Sequence, residues 1–221
     1  MNYNCSTKCN EIEHLLPMEI EKRSFEIIGE ELKSKGITLL PEREAVIKRV
    51  IHASADFEYA DTLAFSEHAI KTAQELLLNG ADIVTDTNMA LSGVHKKSLE
   101  KLGGSVHCFM ADEEVAEIAK ETGRTRASVS MEKASKIEKD VIFAIGNAPT
   151  ALITLYEMMQ KGIYRPAFVI GVPVGFVNVE VSKELMMETD VEYIINRGRK
   201  GGSNIAAAIC NALLYSVTDR D

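Results

Sequence analysis

Arg49 and His52 stand three residues apart in the run Arg49-Val50-Ile51-His52-Ala53-Ser54-Ala55-Asp56. Residues three apart on a helix are neighbours, so the two side chains share one side. Histidine changes charge near neutral pH, and a guanidinium holds a carboxylate in a fixed geometry. The pair suits proton transfer to an anionic substrate; the plainer alternative is a solvated helix face. The helix that must carry them starts at Pro41, a residue tolerated in a first helical turn. Val46, Ile47, Val50 and Ile51 recur at helical spacing and predict an apolar stripe on a different side of it.

Composition narrows the function classes. The chain has 221 residues, of which 46% are hydrophobic and 26% charged, enough for a sizeable folded core. Its net charge of −8 argues against nucleic acid as a partner, which would need a basic face. No apolar run is long enough to span a bilayer, and the start, Met1-Asn2-Tyr3-Asn4-Cys5, has no signal-peptide core. The expected location is the cytoplasm, with no membrane partner. Cys108 and Cys210 lie in apolar stretches and read as small buried hydrophobes. Cys5, Cys9 and His14 fall short of the four closely spaced ligands of a structural zinc site. Residues 1–10 therefore read as a disordered tail and 11–221 as one domain, with no metal.

The elements follow in order. A charged amphipathic helix is expected from Met18 to Lys35, carrying Ile20, Phe25, Ile28 and Leu32 and ending at Gly36. The Pro41 helix comes next. A third helix, capped by Asp61 or Thr62, is expected to run through Ala64, Ala69 and Ala73 to Leu78, with Asn79-Gly80 as its stop. His68 on it reads as a surface or packing residue. Short β-type runs then appear at Ala81–Thr85, Ser105–Met110, Val141–Ile145, Ala167–Ile170 and Glu192–Ile195. Between and after them, helices are expected at Asp112–Thr122, with an acidic cap, Thr150–Lys161, Glu180–Met187 and Ser203–Tyr215. Alternation of this kind predicts a parallel sheet with helices on both faces, here a doubly wound domain of about five strands with N-terminal helices attached.

In such sheets, ligands bind beyond the carboxyl ends of the strands. Those positions hold Asp86-Thr87-Asn88-Met89-Ala90, Gly146-Asn147-Ala148-Pro149-Thr150, Gly171-Val172-Pro173-Val174-Gly175-Phe176 and Arg197-Gly198-Arg199-Lys200-Gly201-Gly202-Ser203. Glycines let backbone N–H groups approach a ligand. The last loop delivers Gly201, Gly202 and Ser203 at a helix N-terminus, beside Arg199, where anions are favoured. Arg124 and Arg126 add cations. An acidic chain that gathers cations at its strand ends points to a small polyanionic ligand. The last loop has neither the glycine spacing of a dinucleotide fingerprint nor the lysine placement of a P-loop.

These blocks carry a resemblance. Glu21-Lys22-Arg23-Ser24-Phe25, Arg49-Val50-Ile51-His52, Ala55-Asp56-Phe57, Thr85–Ala90, Ala144–Leu152, Val169–Val177, Ser182-Lys183-Glu184 and Arg197–Ser203 stand in the order of the precorrin-8X methylmutase family of cobalamin biosynthesis. The likeness runs from about Pro17 to Leu214. Asn178-Val179-Glu180-Val181 departs from it, standing where the family has smaller residues.

The resemblance implies a three-layer, flavodoxin-like α/β fold, a homodimer and an isomerase without redox cofactor. It would move a methyl group from C-11 to C-12 of a tetrapyrrole polycarboxylate, with or without cobalt, by a 1,5-sigmatropic shift. The family's acid–base histidine falls on His52, and its substrate-contacting serine and arginine fall on Ser24 and Arg49. Thr87, Asn88 and Arg126 match pocket positions. His95 and His107 are weaker candidates; His107, within a strand run, reads as a satisfied core residue. Two rivals remain: a corrinoid-binding carrier without chemistry, and a phosphate-ester enzyme, for which no metal-binding carboxylate cluster is evident.

Overall fold

The computed structural model describes residues 15–218. The chain divides into two compact units between Thr38 and Leu39. The first contains helix α1 (Pro17–Ser34). Pro17 opens it, and the Leu16 N–H donates to the Glu19 carboxylate at 3.0 Å. Gly36, at φ +73°, takes the left-handed position that ends it. Ile28 and Leu32 are buried, but Ile20 is exposed, so the apolar side is narrower than its sequence predicts. Cys5, Cys9, His14 and the expected tail lie outside the described residues.

The second unit runs α2 (Pro41–Ser54), α3 (Tyr59–Thr62), β1 (Leu63–Phe65), α4 (Ala69–Leu78), β2 (Asp82–Thr85), α5 (Asn88–Gly93), α6 (Lys96–Lys101), β3 (Val106–His107), α7 (Glu113–Thr122), α8 (Arg126–Ala134), β4 (Val141–Ile145), α9 (Pro149–Gln160), β5 (Phe168–Gly171), α10 (Val179–Met187), β6 (Tyr193–Asn196) and α11 (Ser203–Val217). Its sheet has the order β1-β6-β5-β4-β2-β3. Every neighbouring pair is parallel except β1 with β6. Leaving out β1, the five parallel strands follow the flavodoxin-like order, in which the strand sequence reverses between β2 and β4. The expected doubly wound α/β fold is present.

Strands β2, β4 and β5 are buried throughout, as a sheet covered on both faces requires. On one face Phe143, Ile145 and Val169 pack with Ala127 and Met131 of α8, Leu152 and Leu155 of α9, and Met186 of α10. On the other, α11 lies against α2, α4 and α5. The four residues of the α2 stripe, Val46, Ile47, Val50 and Ile51, are all buried. Each such burial contributes about 1.5–3 kcal/mol before chain entropy is counted.

Four local expectations are corrected. Residues 63–65 are strand, not helix, because they pair antiparallel with β6 and Thr62 Oγ1 donates to Asn196 Oδ1 at 2.7 Å. That pairing supplies a sixth strand. The Ser105–Met110 run contributes only Val106 and His107 to the sheet. Helix α8 lies where no element is expected from the sequence, started by Thr125, whose Oγ1 accepts the Ser128 N–H at 3.1 Å. Asp112 precedes α7, but its carboxylate meets Lys133 Nζ at 3.0 Å instead of capping the helix. Cys210 is buried as expected, whereas Cys108 is half-buried.

Candidate active site

Arg49 and His52 lie on the last turns of α2, clear of its buried stripe. The Arg49 guanidinium stands over the Tyr215 ring of α11, 4.9 Å from its centre. His52 is exposed. The helix stops just beyond it at Ala55, a non-glycine residue in the left-handed region at φ +54°. That conformation costs an L-residue about 1–2 kcal/mol. The turn is held: the Asp56 N–H donates to Ser54 Oγ at 3.2 Å, and the Glu58 N–H to Asp56 Oδ1 at 3.0 Å.

The carboxyl ends of β2 and β4 meet at the point where the strand order reverses. Asp86, fully buried, accepts N–H bonds from Gly146, Asn147 and Ala148 at 2.8, 2.8 and 2.5 Å. Burial pushes its carboxyl above the usual range, and the three N–H donors work against that rise. Here the protein's own carboxylate fills the nest of amides that an external anion would seek. Beside it, Thr87 Oγ1 and Ser203 Oγ lie 2.8 Å apart. Gly146 permits this approach: a Cβ there would lie 2.8 Å from Ser203 Cα.

The loop from Arg197 to Gly202 is anchored through its carbonyl oxygens. Asn196 Nδ2 donates to Arg197 O and Lys200 O at 3.1 and 2.9 Å. Lys183 Nζ donates to Gly198 O and Lys200 O at 2.6 and 2.9 Å. The Gly175 N–H donates to Arg199 O at 3.2 Å, and the Gly202 N–H to Val172 O at 2.9 Å. Gly201, at φ +159°, would place a Cβ 2.1 Å from Val172 O, so only glycine fits. Burial pushes the Lys183 ammonium down to about 8.

The same loop is tied to the end of α2. Lys200 Nζ lies 2.6 Å from both Asp56 Oδ2 and Glu58 Oε2. The Lys200 ammonium holds Asp56 below the usual carboxylate range. Asn204 Nδ2 reaches Ala53 O at 3.5 Å. The structure therefore brings Thr87, Gly201, Gly202 and Ser203 together, with the His52 end of α2 attached.

The other candidates are placed differently. Asn88 is the exposed first residue of α5. Arg126 opens α8, which meets the start of α9 through Thr125 Oγ1 and Thr150 Oγ1 at 3.0 Å. Arg199 turns to Glu180 at 3.0 Å and lies over the Phe176 ring, so it is engaged with α10 and the loop before it. Ser24 belongs to the first unit, where its hydroxyl donates to Ile20 O at 2.9 Å. His107 Nε2 stands 2.8 Å from Asp82 Oδ2, and His95 Nδ1 stands 2.8 Å from Ser98 Oγ.

Comparison with known proteins decides the family. The CbiC precorrin-8X methylmutase model matches residues 19–216. The chain belongs to the precorrin-8X methylmutase family. It is 43% identical to the cobalt-precorrin-8 methylmutase of Priestia megaterium over 89% of this chain and 87% of that one. It is 39% identical to the precorrin-8X methylmutase of Pseudomonas aeruginosa over 88% and 93%. A solved precorrin-8X methyl mutase from Thermus thermophilus superposes with a TM-score of 0.80 at 36% identity, covering 90% of this chain and 96% of that one.

Sequence reading of this methylmutase left three residues without a role. Asp86 was visible as an acid directly after an apolar strand. Lys183 carried a clearer sign, since with Val179, Ser182 and Met186 it falls on the buried side of α10. Asn196 carried none; its two anchoring bonds depend on how the following loop folds back.

Proposed function

We propose that this chain is a methylmutase that isomerises precorrin-8X or cobalt-precorrin-8 by moving a methyl group from C-11 to C-12 of the macrocycle. One observation carries the reading: the family match, residues 19–216, covers the whole strand-end group and the His52 end of α2 that Lys200 ties to it. The reaction rearranges one molecule, so no electrons enter or leave and no co-reactant is consumed. The protein's tasks are to hold the ring and to move a proton where charge develops. His52 is assigned the proton transfer. Arg49 and Arg126 pair with peripheral carboxylates, a task suited to guanidinium. Thr87, Asn88, Gly201 and Ser203 supply hydroxyl, amide and backbone donors, and Gly202, whose own N–H is taken by Val172 O, shapes the turn between them. The family likeness also gives Ser24 a substrate contact, and Arg199 takes part by exchanging Glu180 for a substrate carboxylate.

A scattered donor set fits a polycarboxylate on an apolar ring better than it fits a phosphate ester, and Asp86 already fills the amides at the switch point. The family likeness supports a homodimer, which sedimentation tests. Among the described residues no helix is long and apolar enough to cross a membrane, and the reading places the enzyme in the cytoplasm. Methyl migration alters the conjugated chromophore, so an absorbance change on mixing with precorrin-8X or its cobalt form supports catalysis. Stoichiometric binding of both without spectral conversion would make the chain a corrinoid carrier instead. Comparing the two substrates also decides which one the enzyme prefers.

A further inference from the structure

Lys183 is 1% exposed, yet its ammonium is satisfied by two carbonyl oxygens and not by a carboxylate. Glu180, one turn away on the same helix, is the charged group acting on it. A buried ammonium is costly, and an apolar side chain would fill the same space at less expense. Its partners give the reason for keeping it. The carbonyls of Arg197, Gly198, Arg199 and Lys200 are all taken up from the protein side, by Asn196, Lys183, the Gly175 N–H, and Lys183 with Asn196 respectively. In a trans peptide the N–H points opposite to the carbonyl before it. Four inward carbonyls therefore turn the N–H groups of Gly198, Arg199, Lys200 and Gly201 the other way. The loop becomes a surface of donors that ends just short of Gly202, whose N–H turns to Val172 O, and Ser203.

We infer that Lys183 is a positioning residue for substrate binding: its ammonium draws the Gly198 and Lys200 carbonyls inward and so presents the loop's N–H face to the substrate carboxylates. This rests on the reading of the Arg197–Ser203 loop as part of the substrate site. Lys183 touches no reacting atom in this scheme. Its effect falls on holding the substrate and not on the proton transfer assigned to His52.

The test compares Lys183→Met, Lys183→Gln and Ser203→Ala with wild type, using precorrin-8X turnover and thermal unfolding. Lys183→Met should raise KM by roughly tenfold or more while kcat stays within about threefold, the scale of losing charge-assisted anchoring. Lys183→Gln returns an amide donor and should recover part of the loss. A folded Lys183→Met with KM within about twofold of wild type overturns the inference, whatever its melting temperature. If Lys183→Met does not fold, Lys183→Leu, which also lacks a donor, takes its place under the same KM criterion. Ser203→Ala separates the two readings. A raised KM there with an unmoved Lys183 variant defeats only this inference; unmoved KM in both removes the loop from the substrate site.

Discussion

Thr87 Oγ1 and Ser203 Oγ are 2.8 Å apart, a hydroxyl pair that joins the residue capping α5 to the first residue of α11. Thr87 Oγ1 also accepts the Ala90 N–H at 3.1 Å, capping α5. One side chain thus starts a helix and fixes where another helix begins. Thr87→Val should lose both bonds, about 1–2 kcal/mol of cap and about 1 kcal/mol of hydroxyl pairing. Ser203→Ala should lose only the second. Urea unfolding of the two variants checks this, and equal losses would show that the cap contributes nothing.

Gly146→Ala tests the close approach between the β4 end and the α11 start. Its added Cβ would meet Gly202 O at 2.9 Å and Ser203 N at 2.9 Å, both backbone atoms. Backbone cannot rotate aside, so the loop must shift. We expect about 1–3 kcal/mol of destabilisation, the usual scale of overpacking, together with weaker substrate binding. A variant with wild-type stability and affinity would show that the contact is soft.

Lys183 predicts an unusual pH response. Burial holds its ammonium down at about 8, against about 10.4 for an unfolded lysine. Below both values each state carries the proton and the slope is zero. Between them the unfolded chain binds a proton that the native state has released, so unfolding free energy rises with pH across that window. The stability difference between wild type and Lys183→Met should therefore shift in favour of wild type from pH 8 towards pH 10. A flat difference across that range would show that Lys183 titrates normally.

The legible parts of the molecule were those set by local pattern. Val46, Ile47, Val50 and Ile51 fixed the rotation of α2, and with it the common side of Arg49 and His52. Val141–Ile145 read as a buried strand because nothing in it needs water. Leu63-Ala64-Phe65 did not read as a strand, since only its pairing with Ile194 to Asn196 makes it one. The site divides in the same way. Asp86 acts on residues 60 to 62 positions away, and Lys200 reaches Asp56 across 144. No spacing rule along the chain reaches that far. Ala55 shows the converse: its left-handed turn is local, yet alanine gives no sign of it.

Arg49→Ala should cost substrate affinity more than stability. The residue is half-buried and its guanidinium rests on the Tyr215 ring, a contact worth about 0.5–2 kcal/mol. Losing a charge-assisted bond to a substrate carboxylate costs roughly 1.5–3 kcal/mol, or about ten- to a hundredfold in affinity. Titration of the variant with precorrin-8X measures the second quantity, and an unchanged curve would remove Arg49 from the site.

His52→Ala should fold normally, because the imidazole is exposed in the last turn of α2 and no core residue is disturbed. Alanine also favours the helical state at that position. If His52 transfers the proton that accompanies methyl migration, turnover should fall by roughly 10²–10⁴, the usual reach of general acid–base catalysis. Affinity should change far less if, as proposed, Arg49 and the strand-end loops do most of the holding. Single-turnover absorbance beside a binding titration separates the two effects. Near-normal turnover in the variant would end the catalytic assignment. Equal losses of binding and rate would make His52 an anchor, and the proton would then have to come from another group at the strand ends.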